Sequence, residues 1–370
     1  RGPRQPFREE LLEVHGQRGR QEARGCRSEG EIIRIIEKGS DEIVGTFQSV
    51  KSFGFVIPDD KKISQDIFIP AGKTKGAVDG HKVVAKITKR SVGNTNPEGV
   101  ITEIIGHIND PGVDILSVIK QFDLPEEFPE DVMKQIESID PDKIDERLIE
   151  GRDDYRDILT VTIDGDDSKD FDDAVSIQKL DNGNYLLGVH IADVTEYVKE
   201  NSPLDKEALK RGTSIYLVDR VIPMLPHKLS NGICSLNPNV DRLALSCTME
   251  IDKKGNVVSH KVAKSVIRSD RRMTYHIVNE ILENDNAEYK AEYSDLVDMF
   301  KTMFELRNIL LAKRQKRGSV NFDLPECQIV LNDKGEPIEI KPHERNTATS
   351  IIEEFMLICN ETIAEDYFWQ

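Results

Sequence analysis

Between Asp164 and Asp173 the chain packs six carboxylates into ten residues, and strand-forming segments bracket the run. Leu159, Val161 and Ile163 alternate into it with the two-residue period of a strand, and Val175 and Ile177 leave it in the same way. A solvated acidic loop sits uneasily between two such strands. Carboxylates crowded together repel by roughly 1–4 kcal/mol per close pair, so a buried cluster calls for a cation. Oxygen donors select Mg²⁺, Mn²⁺ or Ca²⁺. An EF-hand is excluded. Asp164, Asp166, Ser168 and Asp170 fall on alternate positions, but Lys169 stands where that loop needs Gly and Val175 where it needs Glu. Two readings stay open on the residues alone: an exposed acidic loop, and a magnesium site for phosphodiester hydrolysis.

The formal charge of −17 over 370 residues argues against nucleic acid, because phosphate repels net negative charge. Its distribution argues otherwise. Residues 43–90 carry nine Lys/Arg and four Asp/Glu, whereas residues 121–157 carry five Lys/Arg and fourteen Asp/Glu. A basic module therefore stands beside an acidic connector. Five scattered cysteines without a CxxC pair exclude a disulfide framework and a zinc knuckle, and suit a reducing cytoplasm. No stretch has the length and apolarity of a membrane span.

The expected fold class is α+β, with a small antiparallel β-barrel ahead of an α+β domain. Residues 1–28, rich in Arg, Gly and Glu, read as a disordered or unassigned arm. Residues 29–106 form the barrel domain, 107–157 the acidic connector with a short helix near 129–138, and 158–370 the α+β domain. In the last, Asp181 to Asn184 and Lys254 to Asn256 mark hairpin turns. Ser202-Pro203 starts a helix that Gly212 stops. A long helix with a basic end closes at Gly318, and a last helix runs from about Thr347.

In the barrel, Phe53 and Phe55 stand two apart and leave the same face of one strand, and Phe68 follows on another. Three rings on one face make a platform on which unpaired bases stack. Lys51, Lys61, Lys73 and Lys75 are placed to meet phosphates, and Gly54 would let a base approach the backbone. The segment, with its closing Gly76 to Gly80, resembles a cold-shock domain of the oligonucleotide-binding fold. That resemblance implies single-strand binding largely without sequence readout.

A second resemblance covers most of the chain. Thr162-Ile163-Asp164 and Asp170-Phe171-Asp172-Asp173-Ala174 come first, then Val189 to Asp193, Ile222 to Pro226, Leu229-Ser230, Cys234 to Pro238, Asp241-Arg242 and Ile352-Glu353-Glu354. In this order they resemble the signature of the ribonuclease II/R (RNB) family, and the upstream barrel points to its ribonuclease R branch. The resemblance implies a processive 3′→5′ exoribonuclease that releases nucleoside 5′-monophosphates from single-stranded RNA. It puts the catalytic and metal-binding acids on Asp164, Asp170, Asp172 and Asp173, with Mg²⁺ as cofactor and Mn²⁺ as a substitute. It puts Tyr216 and Phe322 against the bound bases and Glu353 facing the RNA, and leaves Asp166 and Asp167 solvated. His190 and Asp193 read as structural. A cytoplasmic monomer whose partner is single-stranded RNA is expected. A nonenzymatic single-strand RNA-binding protein is the alternative.

The resemblance also implies that the catalytic domain continues past Gln370 and that an S1 domain follows, so the chain reads as a fragment. On that reading it binds single-stranded RNA but hydrolyses it poorly. Mononucleotide release by this chain, set against a longer parent in Mg²⁺, checks the expectation, and equal rates would contradict it.

Overall fold

The structure, a computed structural model, describes residues 41–91, 95–320, 327–332, 335–342 and 345–369, together with two strands nearer the start. The chain divides into two compact units, the first built mainly from residues up to Leu124 and the second from most of the rest.

In the first unit, β1 (Leu11–Gly16) pairs antiparallel with β2 (Gly30–Glu37), setting Leu12 opposite Ile35 and Val14 opposite Ile32. The arm expected over residues 1–28 therefore contributes a strand. Its partner is the next strand, and the composition of the arm gives no signal of the pairing. The rest of the arm lies outside the described residues. Five strands follow: β3 (Glu42–Val50), β4 (Phe53–Pro58), β5 (Ile67–Ile69), β6 (His81–Lys89) and β7 (Glu98–His107). They close a barrel in the order β3-β4-β5-β7-β6. Its pairings are antiparallel except at the closure, where β5 meets β7 in parallel through Phe68 and Glu98. Phe47, Val56, Ile67, Ile69, Val83 and Ala85 fill the interior. Helix α1 (Val113–Gln121) buries Val113, Ser117 and Ile119. Gly54 has an inward reason rather than a ligand-facing one. A Cβ there would stand 2.4 Å from the Phe47 ring and 2.4 Å from the Gln48 carbonyl oxygen.

The second unit opens with α2 (Glu130–Ile136) and strands β8 (Asp153–Asp154), β9 (Val161–Asp164), β10 (Asp173–Lys179) and β11 (Tyr185–Ala192). Helix α3 (Pro203–Arg211) begins at Ser202, whose side chain accepts from the Asp205 amide, and ends at Gly212 with φ 74°. The short β12 (Ile215–Tyr216) and β13 (Val221–Ile222) pair with each other, and β14 (Asp241–Ile251), β15 (Val257–Arg268) and β16 (Arg271–Thr274) complete the strands of the main sheet. Helices α4 (Tyr275–Leu282), α5 (Ala287–Glu292) and α6 (Val297–Arg317) precede the hairpin of β17 (Cys327–Leu331) and β18 (Pro337–Pro342), and α7 (Thr347–Trp369) comes last. The main sheet runs β16-β9-β10-β11-β14-β15-β8.

Strand alternation gives this sheet two apolar faces. Val161, Ile163, Val175, Leu187, Val189 and Met249 meet α4, α6 and α7 through Ile281, Phe300, Met303 and Phe355. Ala174, Ala192, Leu243, Ala244 and Val266 meet Val132 and Ile136 of α2, Leu204 of α3, and Leu229 and Ile233. A sheet covered on both sides holds its strands at fixed spacing, and with them the loop that joins β9 to β10.

His190 sits fully buried in β11, with Nε2 3.1 Å from Ser176 Oγ and Nδ1 2.6 Å from Ser246 Oγ. Asp193 accepts from Arg152 at 2.8 Å in a buried ion pair. Both residues are structural, as their place in the strand end suggested. Burial pushes the His190 imidazole down to about 4. An unfolded histidine takes its proton near pH 6.5, so the contribution of neutral His190 is complete above that pH and is lost as pH falls towards 4. The shift corresponds to about 3 kcal/mol. In denaturant titrations at pH 7 and pH 4, a His190→Gln variant should lose about that much less stability on acidification than the parent.

Candidate active site and nucleic-acid face

Asp164 closes β9 and Asp173 opens β10, so the acidic loop is the turn between two paired strands of the buried sheet. Phe171 is its one deeply buried side chain, 4% exposed, and it anchors the loop in the core under α2 and α3. Ser235 fixes that anchor from both sides. Its Oγ accepts from the Phe171 amide at 3.1 Å and donates to the Lys169 carbonyl at 3.0 Å, while the Leu236 amide donates to the Phe171 carbonyl at 2.9 Å. Arg242, itself buried, donates from Nε to the Ser235 carbonyl at 2.8 Å and from Nη1 to the Asp142 carbonyl at 3.0 Å. On the other side, Arg272 of β16 directs Nη2 at the Gly165, Asp166 and Ser168 carbonyl oxygens. Asp166 and Asp167 point to solvent.

The four expected acids share one electrostatic environment. Burial first, and then the neighbouring Asp173 carboxylate, push Asp164 up to about 7, with Arg272 pulling the other way. Asp172 keeps a solvent-facing side, yet burial and then Asp170 and Asp173 push it up to about 6. Burial raises Asp173 as well. Asp170 accepts a hydrogen bond from the Tyr216 hydroxyl at 2.9 Å, and burial together with that bond pushes Tyr216 up to about 12. Desolvated carboxylates that hold their protons more tightly than usual are groups awaiting a positive partner.

Asp164 Oδ2 is buried with no hydrogen-bond donor among the described residues. Such an atom needs a partner that protein groups do not supply. The donors are all hard oxygens, the set that holds Mg²⁺ or Mn²⁺. Among the described residues no three His, Cys, Asp or Glu side chains converge into a finished coordination shell. The fit to a divalent cation therefore lies in donor chemistry and in the unpartnered oxygen.

Tyr216 is two-thirds exposed beside this cluster. Glu353, on α7, lies 3.6 Å from Arg314 and pairs with Arg345, while its neighbour Glu354 is buried against Arg314 at 2.6 Å. Phe322 lies outside the described residues. Reasoning from local pattern missed Arg272, Ser235 and Tyr275. Burial and then Asp164 and Asp173 push the Tyr275 hydroxyl up to about 12, which places it among the acids. Ser235 and Arg242 stood inside quoted motifs without a role. Arg272 and Tyr275 reach the loop only because β16 pairs in parallel with β9, setting Thr274 opposite Asp164.

In the barrel unit, the three phenylalanines singled out in the sequence come together in one cluster. Their ring centroids lie 6.0 Å (Phe53–Phe55), 5.6 Å (Phe53–Phe68) and 5.7 Å (Phe55–Phe68) apart. All three are half-buried on the outside, whereas Phe47 is the core ring. A hollow of about 530 Å³ beside Phe55 and Phe68 is lined by Lys89, Asn96 and Glu98 among others. Lys51 is exposed in a left-handed turn, φ 56°, two residues before Phe53. Lys61 and Lys73 are exposed too, but Lys75 donates to the Thr102 carbonyl and so is tied to the barrel backbone.

The RNB domain matches residues 152–368, well over half of the chain, and the cold shock domain matches residues 55–129. The chain belongs to the RNB family. Ribonuclease R of Thermotoga maritima is 48% identical over 339 residues, which make up 91% of this chain and 47% of that protein. Ribonuclease R of Escherichia coli is 38% identical over 338 residues, 91% of this chain and 41% of that protein. The chain thus spans about half the length of the curated relatives it matches. Mycoplasma genitalium RNase R, solved in complex with ribose-methylated single-stranded RNA, superposes with a TM-score of 0.82 at 26% identity, covering 97% of this chain and 56% of that one. Yeast Ssd1, a pseudonuclease, shares the fold with a TM-score of 0.69 at 19% identity, covering 98% of this chain and 44% of that one.

Replacing Phe53, Phe55 or Phe68 by Ala should weaken single-stranded RNA binding by about 1–3 kcal/mol wherever a base stacks. Fluorescence anisotropy with a short oligonucleotide measures the loss, and circular dichroism confirms that each barrel is folded. Unchanged binding by all three variants would remove the stacking role.

Proposed function

We propose that this chain is the RNA-gripping and cation-binding part of an exoribonuclease that hydrolyses single-stranded RNA from its 3′ end, releasing nucleoside 5′-monophosphates. The unpartnered, desolvated carboxylate of Asp164 at the head of an intact four-aspartate loop supports this most directly. Asp164, Asp170, Asp172 and Asp173 would hold Mg²⁺, with Mn²⁺ as a substitute. A cation bound there supplies charge neutralisation for the phosphate and a coordinated water of lowered pKa.

The residues of the chain do the rest. The carboxylates stand ready in a part-desolvated turn, where a fixed charge acts more strongly than in water. The Tyr216 ring lies beside Asp170, placed to pack on the terminal nucleotide whose phosphodiester reacts. Glu353, joined to Arg314 and Arg345, supplies a polar edge for the RNA, and Phe322 a further stacking ring. The barrel platform of Phe53, Phe55 and Phe68, with Lys51 at its turn, holds single-stranded RNA through stacking and phosphate contacts that carry little sequence information. The similar RNase R structure solved with single-stranded RNA and the curated ribonuclease R relatives support the same substrate class. Among the described residues Cys234, Cys247, Cys327 and Cys359 are free thiols, which suits a reducing cytoplasm.

A fold does not by itself supply hydrolysis, so the test falls on the aspartates. Asp172→Asn keeps the size of the side chain and removes one negative charge. In a full-length parent it should slow mononucleotide release from poly(A) at least about a hundredfold, while RNA affinity stays level or rises slightly. Near-parental turnover by that variant would leave the nonenzymatic RNA-binding reading in its place.

A further inference from the structure

We propose that Arg272 is a positioning residue for the acidic loop: it holds residues 165–168 in the turn that returns Asp170, Asp172 and Asp173 to the side of Asp164. The inference rests on the reading of those acids as a cation site.

The loop has little else to hold its first half. Its one backbone hydrogen bond there runs from the Ser168 amide to the Gly165 carbonyl at 3.2 Å. Arg272 faces the same turn from β16, where it pairs with Thr162 two residues ahead of Asp164. Its Nη2 lies 3.2 Å from the Gly165 oxygen and 3.5 Å from the Ser168 oxygen, and it also donates to the Asp166 oxygen. Three carbonyl oxygens of one turn thus aim at one nitrogen. The guanidinium carbon stands 5.3 Å from the centre of the Phe171 ring, so the same side chain touches the far end of the loop, where Ser235 holds the backbone. Though surrounded by acids, Arg272 forms no ion pair among the described residues, and its Nε is buried without a partner. The one nitrogen it uses, Nη2, donates to the backbone, which is where geometry is set.

The chemistry favours arginine here. Its planar fork keeps its charge at all accessible pH values and offers donors in fixed directions. A lysine keeps the charge and offers donors on one nitrogen, but it lacks the planar guanidinium that stands 5.3 Å from the Phe171 ring and fixes where that nitrogen sits. As a charge alone, Arg272 would repel a cation bound by the neighbouring aspartates. Its benefit to that site must therefore come through the loop backbone, and this opposition of signs separates the two roles.

The test uses Mn²⁺ alone as probe, with calorimetry for affinity and amide hydrogen exchange for the order of residues 165–171. Arg272→Lys, Arg272→Gln and Asp172→Asn are compared with the parent chain. Both Arg272 variants should weaken Mn²⁺ binding about 10–100-fold and speed exchange at the Ser168 and Phe171 amides, while single-stranded RNA binding by the barrel stays within about twofold. Parental affinity and exchange in Arg272→Lys would show that charge alone suffices and overturn the proposal. Tighter Mn²⁺ binding by Arg272→Gln would overturn it as well. If the Gln variant does not fold, the charge-conserving Lys variant decides. Should Asp172→Asn bind Mn²⁺ like the parent, the cation site itself fails, and amide exchange still reports on the brace.

Discussion

Repulsion among aspartates that have been taken out of water is the constraint around which the second unit is arranged. Left in solvent, the six acids between Asp164 and Asp173 would spread apart. Here β9 and β10 hold the two ends of the loop at strand spacing, and Phe171 pulls its middle into the core. The resulting field appears in the upward shifts of Asp164 and Asp172 and in those of Tyr216 and Tyr275 around them. Such an arrangement costs folding free energy, which the two apolar faces of the sheet offset. It is the expected signature of a functional site, where local stability gives way to chemistry.

Two arginines set the loop through its backbone rather than by pairing with its carboxylates. Arg242 ties the connector carbonyl of Asp142 to Ser235, and Ser235 holds Lys169 and Phe171. Arg272 takes the carbonyls of the first half of the loop. Direct ion pairs with the aspartates would compete with a cation for the same oxygens. Bonding to the backbone instead fixes the geometry and leaves carboxylate oxygens open, Asp164 Oδ2 among them. The barrel unit divides its aromatic residues in a similar way. Phe47 goes to the core, and Gly54 makes room for it, while Phe53, Phe55 and Phe68 stay outside as a cluster of half-buried rings.

The sequence by itself determined the elements whose cause is local. The hairpin turn at Gly183, the capped start and glycine stop of α3, the basic end of α6 and the alternation into β9 and out of β10 each follow from residues a few positions apart. The acidic loop and the phenylalanine pair could be read for the same reason, because charge density and two-residue spacing need no knowledge of distant contacts. Tertiary structure alone decided the rest. The parallel closure of the barrel by β7 and the reach of Arg272 and Tyr275 to the acids depend on partners far along the chain, while the strand Leu11–Gly16 and the inward reason for Gly54 depend on how adjacent strands pair and pack. Which acids are desolvated was equally hidden. Asp166 and Asp164 are the same residue type two positions apart, yet one faces water and the other ends a buried strand, and only packing from both sides of the sheet distinguishes them.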